Sequence, residues 1–246
     1  MNIISKIAPF LLLGNLLMAI NITIETKEVM DKFCKKVPNQ DYQFCMEVKS
    51  KYPIISSSEK VLEENMNRAV EKEFFKKGYA KKYVLENFED YGPMGHEDTL
   101  KIKVLSQFSK SFTLEVDSFA YLGGRHGRGA IKLVNYDAKT GKEIKLDALF
   151  IKGYKQKLTD IAEKVYRKKN HIKDSDSFFD KDGSWHNGKF ELSKEIGIGK
   201  EGLHLEYAHE EVQPYSAGTI SLVVNYELLK DIINPNAYLA FVEKKR

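Results

Sequence analysis

Three short stretches carry side chains whose types could do chemistry. The first is GGRHGRG, residues 123–129. Its glycines invite comparison with a phosphate loop. The Lys-Ser/Thr of a P-loop is missing, however, and the residues that follow alternate as a strand. No helix N-terminus stands behind the loop to hold an anion. It reads instead as a flexible turn exposing Arg125, His126 and Arg128. Two cations and an imidazole on such a tip can meet carboxylates or polar sugars.

The second stretch, HEEVQ at residues 209–213, resembles zinc-protease bait and fails at its last position. Gln213 stands where the second zinc histidine must be. His204 and His209 are five residues apart, so they do not share a helical face, and the segment reads as strand. The third stretch, DSDSFFDKDGSW, offers Asp174, Asp176, Asp180 and Asp182. A calcium loop of the EF-hand type needs glycine at its sixth position. That position is Trp185 counted from Asp180 and Phe179 counted from Asp174. An acidic surface loop is the expectation. No G-x-S-x-G elbow occurs, so no catalytic residue, metal or cofactor is expected.

The N-terminus bears on where these side chains work. MNIISK carries one lysine, and IAPFLLLGNLLMA follows as a short apolar run ending at Ala19. The run is too short for a comfortable membrane span and has the length of a signal-peptide core. We expect a signal peptide over residues 1–19, with an uncleaved anchor as the alternative. The protein is then periplasmic or secreted, with no stable membrane span once the signal is removed. Its two cysteines, Cys34 and Cys45, form an even set in an exported chain, which points to a disulfide. The loop is short, so the chain-entropy stabilisation is roughly 3 kcal/mol. A zinc pair has the wrong spacing and no intervening histidine; free thiols are the other alternative.

The elements that must position these groups follow from periodicity. Residues 21–55 read as short extended pieces around the disulfide. SSSEKVLEENMNRAVEKEFFKK reads as a helix opened by a Ser56–Glu59 capping box, with Leu62, Met66, Ala69 and Phe74 on one face. TLKIKV and SFTLEV alternate as strands with one wet face, and DAKTGKEIKL as a hairpin turn. YKQKLTDIAEKVYRKK is the clearest helix, with Leu158, Ile161, Ala162, Val165 and Tyr166 forming an apolar stripe. In TISLVVNY, residues Ile220, Leu222, Val224 and Tyr226 share a face, and YELLKDII closes as a short helix. The mixed order with hairpin signals predicts an α+β fold: a mainly antiparallel sheet packed with helices in two layers. Between strands lies PYSAG, in which Pro214 ends one strand, Tyr215 tucks its ring into the core and Gly218 takes a conformation closed to side chains. Direct ligand contact by Tyr215 is the alternative.

Composition is that of an ordinary globular protein: 246 residues, 42% hydrophobic, 30% charged. The formal charge of +4 is spread over 39 basic and 35 acidic residues without a run of five or six like charges. A nucleic-acid partner would demand a clustered basic stripe, so none is expected.

Two long stretches resemble a known family. GGRHGRGAIKLVNYDAKTGKEIKLDALF is similar to GG-x-H…NYD-x-x-TGK-x-I-x-L-x-D-L-F, and GLHLEYAHEEVQPYSAGTISLVVNYELL to G-hydrophobic-x-F…PYAAG…V-x-IPY-x-L. These patterns mark the RsiV-like C-terminal domain, domain of unknown function 3298. Ser216 departs from the first alanine of PYAAG, and Asn225 stands where proline is frequent. Upstream, YPIISSSEKVLEENMNRAVEKEF resembles the opening of a partner domain, domain of unknown function 4163. The resemblance implies a division into residues 20–100, an N-terminal α+β subdomain with the disulfide, and residues 101–246, the RsiV-like domain. It also implies binding rather than catalysis, since the family includes the extracytoplasmic part of a lysozyme-recognising anti-sigma factor. With about six residues before the apolar run, no cytoplasmic sigma-binding domain is expected, and no added deacetylase domain.

The expected function is a non-catalytic cell-envelope binding protein recognising peptidoglycan or a lysozyme-like muramidase. The alternative is an envelope hydrolase acting on peptidoglycan through an unrecognised site. Many lysozymes are cationic, so a muramidase would need the acidic groups Asp174 to Asp182 or Glu210 and Glu211. The Arg125–Arg128 tip suits an acidic glycan or a peptide carboxylate.

Overall fold

The computed structural model describes residues 21–36, 39–77, 96–178 and 185–239; the expected signal peptide, residues 1–19, lies outside them. The fold is α+β with two sheets. Strands β1 (Ile22–Lys36), β2 (Gln43–Ser57), β3 (His96–Gln107), β4 (Ser111–Tyr121) and β5 (Arg128–Asp137) form one sheet in sequence order. Strands β6 (Glu195–Ile198), β7 (Gly202–Tyr207) and β8 (Ile220–Asn225) form the other. All pairings are antiparallel except β2 with β3. Parallel neighbours need a crossover, and helix α1 (Lys60–Lys77) lies on the chain between them.

Residues 21–57 are longer elements than the short extended pieces expected. β1 and β2 make a hairpin of 15 residues each, paired from Ile22 opposite Ser57 to Lys36 opposite Gln43. Cys34 stands directly opposite Cys45, and the two are joined as a disulfide. Ser58 N–H donates to Asn21 O across the start of this ladder. The alternation of antiparallel bonding then puts the even-numbered residues of β1 at positions without hydrogen bonds to β2, where facing side chains are closest. Cys34 is one of them.

Each sheet has its own helix and core. The stripe of α1 falls as expected: Leu62, Met66 and Ala69 are buried, with Phe74 packed at the margin. They meet Leu100, Ile102, Phe112, Leu114, Val116, Val134 and Tyr136 of the five-stranded sheet. The helix start differs from the expected box by one residue. Ser57 Oγ accepts the Glu59 N–H at 3.1 Å, and the Glu63 carboxylate accepts the Ser57 N–H at 2.6 Å. The reciprocal logic of a capping box is kept with different partners. Helix α2 (Tyr154–Lys169) buries Leu158, Ala162 and Tyr166 against β8 and an aromatic cluster of Phe178, Trp185, Phe190 and Tyr207. Its last turn holds Arg167, Lys168 and Lys169, where the helix dipole favours cations. Residues 226–229 close as a 3-10 turn, shorter than the helix expected there.

The sheets meet through β6, which changes the burial of β4 from the pattern expected. Instead of one wet face, Ser111 to Leu114 are buried on both faces. Asn135 of β5 donates from Nδ2 to Ile196 O and accepts the Ile198 N–H on Oδ1, both at 2.8 Å. Thr113 Oγ1 donates to the same Oδ1 at 2.9 Å. Gly197 allows this approach: a Cβ there would sit 3.0 to 3.2 Å from Leu133, Thr113 and Leu105.

Candidate functional site

The β4–β5 hairpin presents the tip that carries Arg125, His126 and Arg128. Its foot is fixed on three sides. The Tyr121 hydroxyl donates to Gly124 O at 3.0 Å. Gly127 lies so close to Phe119 that a Cβ would come within 2.2 Å of the ring. His96 is buried at the start of β3 beside the tip, and burial pushes its imidazole below the usual histidine range, with the Leu122 backbone opposing the shift. His96 went unnoticed in the sequence, where it reads only as the first residue of a strand.

The second piece is the chain after β7. Residues 208–213 form a turn rather than the strand expected. The Glu211 N–H donates to Ala208 O at 3.2 Å, and the Glu211 carboxylate accepts the Ala208 N–H at 2.9 Å. Glu210 sits in the left-handed region at φ 62, a conformation that costs a non-glycine residue about 1–3 kcal/mol. Pro214 precedes a 3-10 turn, Tyr215–Ala217, and does not end a strand. Gln213, the residue that spoils the zinc motif, has a structural use. It is buried, and its amide donates to Ala217 O at 3.2 Å and Gly218 O at 3.3 Å.

These two pieces meet at Tyr215. Its ring is not tucked into the core; it is half-buried at the surface between two imidazoles. His126 stacks on one side at 4.0 Å between ring centroids with planes 19° apart, and His209 on the other at 4.6 Å and 26°. His126 Nδ1 lies 3.2 Å from Gly127 O and His209 Nδ1 3.4 Å from Tyr215 O, each placed to donate. His126 Nε2 is 3.7 Å from the Glu210 carboxylate. The cluster therefore fixes the hairpin tip to the 208–218 loop. Arg125 and Arg128 project beside it, exposed, and among the described residues neither has a salt-bridge partner.

Chemically, the arrangement sets two exposed guanidiniums beside a cluster of two imidazoles, a phenol ring and the Glu210 carboxylate. Among the described residues no serine or cysteine side chain hydrogen-bonds His126 or His209. No group of three or more His, Cys, Asp or Glu side chains among them is placed to hold a metal. His204 does not join the cluster. It is half-buried on β7, its imidazole pushed below the usual range by burial while Glu115 and Glu201 oppose the shift. The acidic loop is likewise elsewhere. Asp174 is exposed; the Asp176 carboxylate accepts the Lys173 N–H at 3.3 Å and the Ser175 hydroxyl at 3.4 Å. Asp180 and Asp182 lie outside the described residues. Two surface clefts also stand apart from Tyr215. One of about 450 Å³ is lined by Asp147 and residues 150–155, and one of about 250 Å³ lies between Tyr52–Ile54 of β2 and Phe74 and Phe75 of α1.

Sequence comparison assigns the part of the chain that supplies His209, Glu210 and Tyr215. Residues 147–227 match the DUF3298 family, a protein family of unknown function. This DUF3298 domain comprises α2 and β6 to β8, and its match stops short of the arginine-bearing tip. No curated protein matches the chain. Two solved DUF3298 proteins are similar in fold. One, from Pseudomonas aeruginosa PAO1, shares 19% identity with a TM-score of 0.66, covering 87% of this chain and 96% of that one. The other, from Bacteroides fragilis NCTC 9343, shares 16% identity with a TM-score of 0.67, covering 90% and 98%. The likeness therefore extends well beyond the DUF3298 domain, into the five-stranded sheet and α1.

Proposed function

We propose that this chain is an exported, non-catalytic cell-envelope protein that binds peptidoglycan through its carboxylates. The observation that supports the reading is the stack of His126 on Tyr215, which holds Arg125 and Arg128 on an anchored tip, exposed and without a salt-bridge partner among the described residues. A guanidinium fork recognises a carboxylate bidentately, and anchoring the backbone behind it reduces the entropy lost on binding. Peptidoglycan supplies such carboxylates on its stem peptides. A lysozyme-like muramidase fits this tip less well, because a cationic partner meets like charge there. Such a partner would engage Asp174, Glu210 and Glu211 instead.

The Cys34–Cys45 disulfide is compatible with a periplasmic or secreted location. Among the described residues no helix is long and apolar enough to cross a membrane. In this reading the DUF3298 domain is of the RsiV-like kind, and the preceding segment from residue 45 is its 4163-type partner.

The test is co-sedimentation with purified peptidoglycan, beside a pull-down on immobilised lysozyme. The wild-type protein should pellet with peptidoglycan, and the double variant Arg125→Ala/Arg128→Ala should stay in the supernatant at the same thermal stability. Retention by lysozyme with no peptidoglycan binding would replace the ligand. Equal pelleting of both proteins would remove the tip from the site.

A further inference from the structure

We infer that the outer edge of β1 is a docking surface for a second copy of this chain, pairing antiparallel about Met30. The inference starts from how the other strand edges are covered. Beyond its pairing with β3, β2 is met at Ile55 by Asn67 of α1, which accepts the Ile55 N–H at 3.0 Å and donates to Ile55 O at 2.7 Å. On β5, Leu133 N–H donates to the Glu195 carboxylate at 3.0 Å, and Asn135 O and Asp137 N–H bond the 142–144 segment. β6 is met by Asn135 and Ser106. On β8, Lys169 Nζ donates to Ser221 O at 2.6 Å.

Among the described residues β1 has no such cover. The register places the backbone groups of Ile24, Thr26, Glu28, Met30 and Lys32 on the outer edge, and among the described residues nothing bonds them. An uncovered strand of this length is a template for strand addition. The disulfide at the far end of the hairpin keeps it extended.

Charge selects the occupant. Glu28 already pairs with Lys51 at 3.0 Å and Lys32 with Glu47 at 3.4 Å within the chain. If two copies of β1 pair antiparallel with Met30 facing Met30, each Glu28 also faces Lys32 of the other copy, which extends these pairs into alternating charge across the axis. Registers centred on Lys27 or Glu28 place like charges face to face. Met30, 66% exposed, is then covered at the centre. The two-fold axis uses up both free edges, so the assembly closes as a dimer instead of growing into a fibre.

The experiment measures the mass of the purified protein by light scattering across concentration. The wild type should dimerise. Glu28→Lys and Lys32→Glu each set like charges opposite one another at two places, and each should raise the dimer dissociation constant roughly tenfold or more. The double variant Glu28→Lys/Lys32→Glu should restore the wild-type value. Hydrogen-bonded antiparallel partners sit about 5.5 Å apart at Cα, within disulfide range. Met30→Cys should therefore give a covalent dimer on mild oxidation. A wild-type protein that stays monomeric overturns the proposal, including one whose edge takes a foreign strand. So does a dimer indifferent to both charge variants, or one in which Cys at position 30 fails to cross-link.

Discussion

The Asn135 side chain faces the Ile198 backbone as a neighbouring strand would, accepting its N–H at 2.8 Å while the same amide donates to Ile196 O. A strand edge thus finds its partner in a side chain from another sheet. Asn67 does the same for Ile55 on the other side of the five-stranded sheet. An amide carries one donor and one acceptor group in nearly the spacing of a peptide unit, which suits it to this task.

Removing the Asn135 amide leaves a buried N–H and a buried C=O without partners. Each costs about 1–3 kcal/mol. Asn135→Ala should therefore lower unfolding free energy by about 2–5 kcal/mol, read from urea denaturation. Asn67→Ala, whose bonds are only partly buried, should cost about 1 kcal/mol. Equal losses would mean that β6 can find other partners when Asn135 is gone.

Gly218 takes φ 84 and ψ −155, a region essentially reserved for glycine. A Cβ there would have open space around it, with nothing within 4 Å. The cost of Gly218→Ala is thus backbone strain alone, about 1–3 kcal/mol. It should appear as a lower thermal midpoint, and as weaker peptidoglycan retention if the 215–217 turn shifts. An unchanged midpoint would show that the loop re-routes without penalty.

The parts of the fold that repeat were legible in the sequence, and the parts that depend on one distant partner were not. The stripe of α2 and the face of β8 follow from period alone, and Leu158, Ala162, Leu222 and Val224 are buried as that period requires. Thr113 reads as a wet-face residue because alternation cannot know that β6 will cover it. An asparagine between Val134 and Tyr136 in an apolar strand was the available signal, since its β propensity is poor. At the site, Arg125, His126, Arg128 and Tyr215 were singled out, but their meeting was hidden by nearly ninety residues of separation. Tyr215 was expected in the core because rings favour burial. Two imidazoles cover its faces instead. His209 drew notice as a failed zinc ligand, not as a ring that would stack on Tyr215.

Glu206 is buried on β7, where burial raises its carboxyl above the usual range; the Ser221 hydroxyl, donating at 2.7 Å, offsets this only in part. A carboxyl with a raised folded pKa binds its proton more tightly when folded. Its contribution to stability is complete below the unfolded value near 4.5 and is lost as pH rises through the folded value. Glu206→Gln keeps an acceptor for Ser221 and removes the charge. It should be more stable than wild type at pH 7.5, with the difference vanishing by about pH 4. Urea midpoints at the two pH values test this; a gain of equal size at both would assign the effect to packing.

Cys34 and Cys45 close the far end of a hairpin in which β2 is paired with β3 only over Met46–Lys51. The helix cores begin at Ile55. Loss of the disulfide should act locally, so the full entropic value of about 3 kcal/mol should not reach the global transition. In Cys34→Ser/Cys45→Ser, amide hydrogen exchange should quicken over residues 31–36 and 43–48, with the protection of β4, α2 and β7 unchanged. A fall in global stability by the whole amount would mean that the hairpin and the cores unfold as one unit, with Met46, buried on this arm, coupling it to the rest of the molecule.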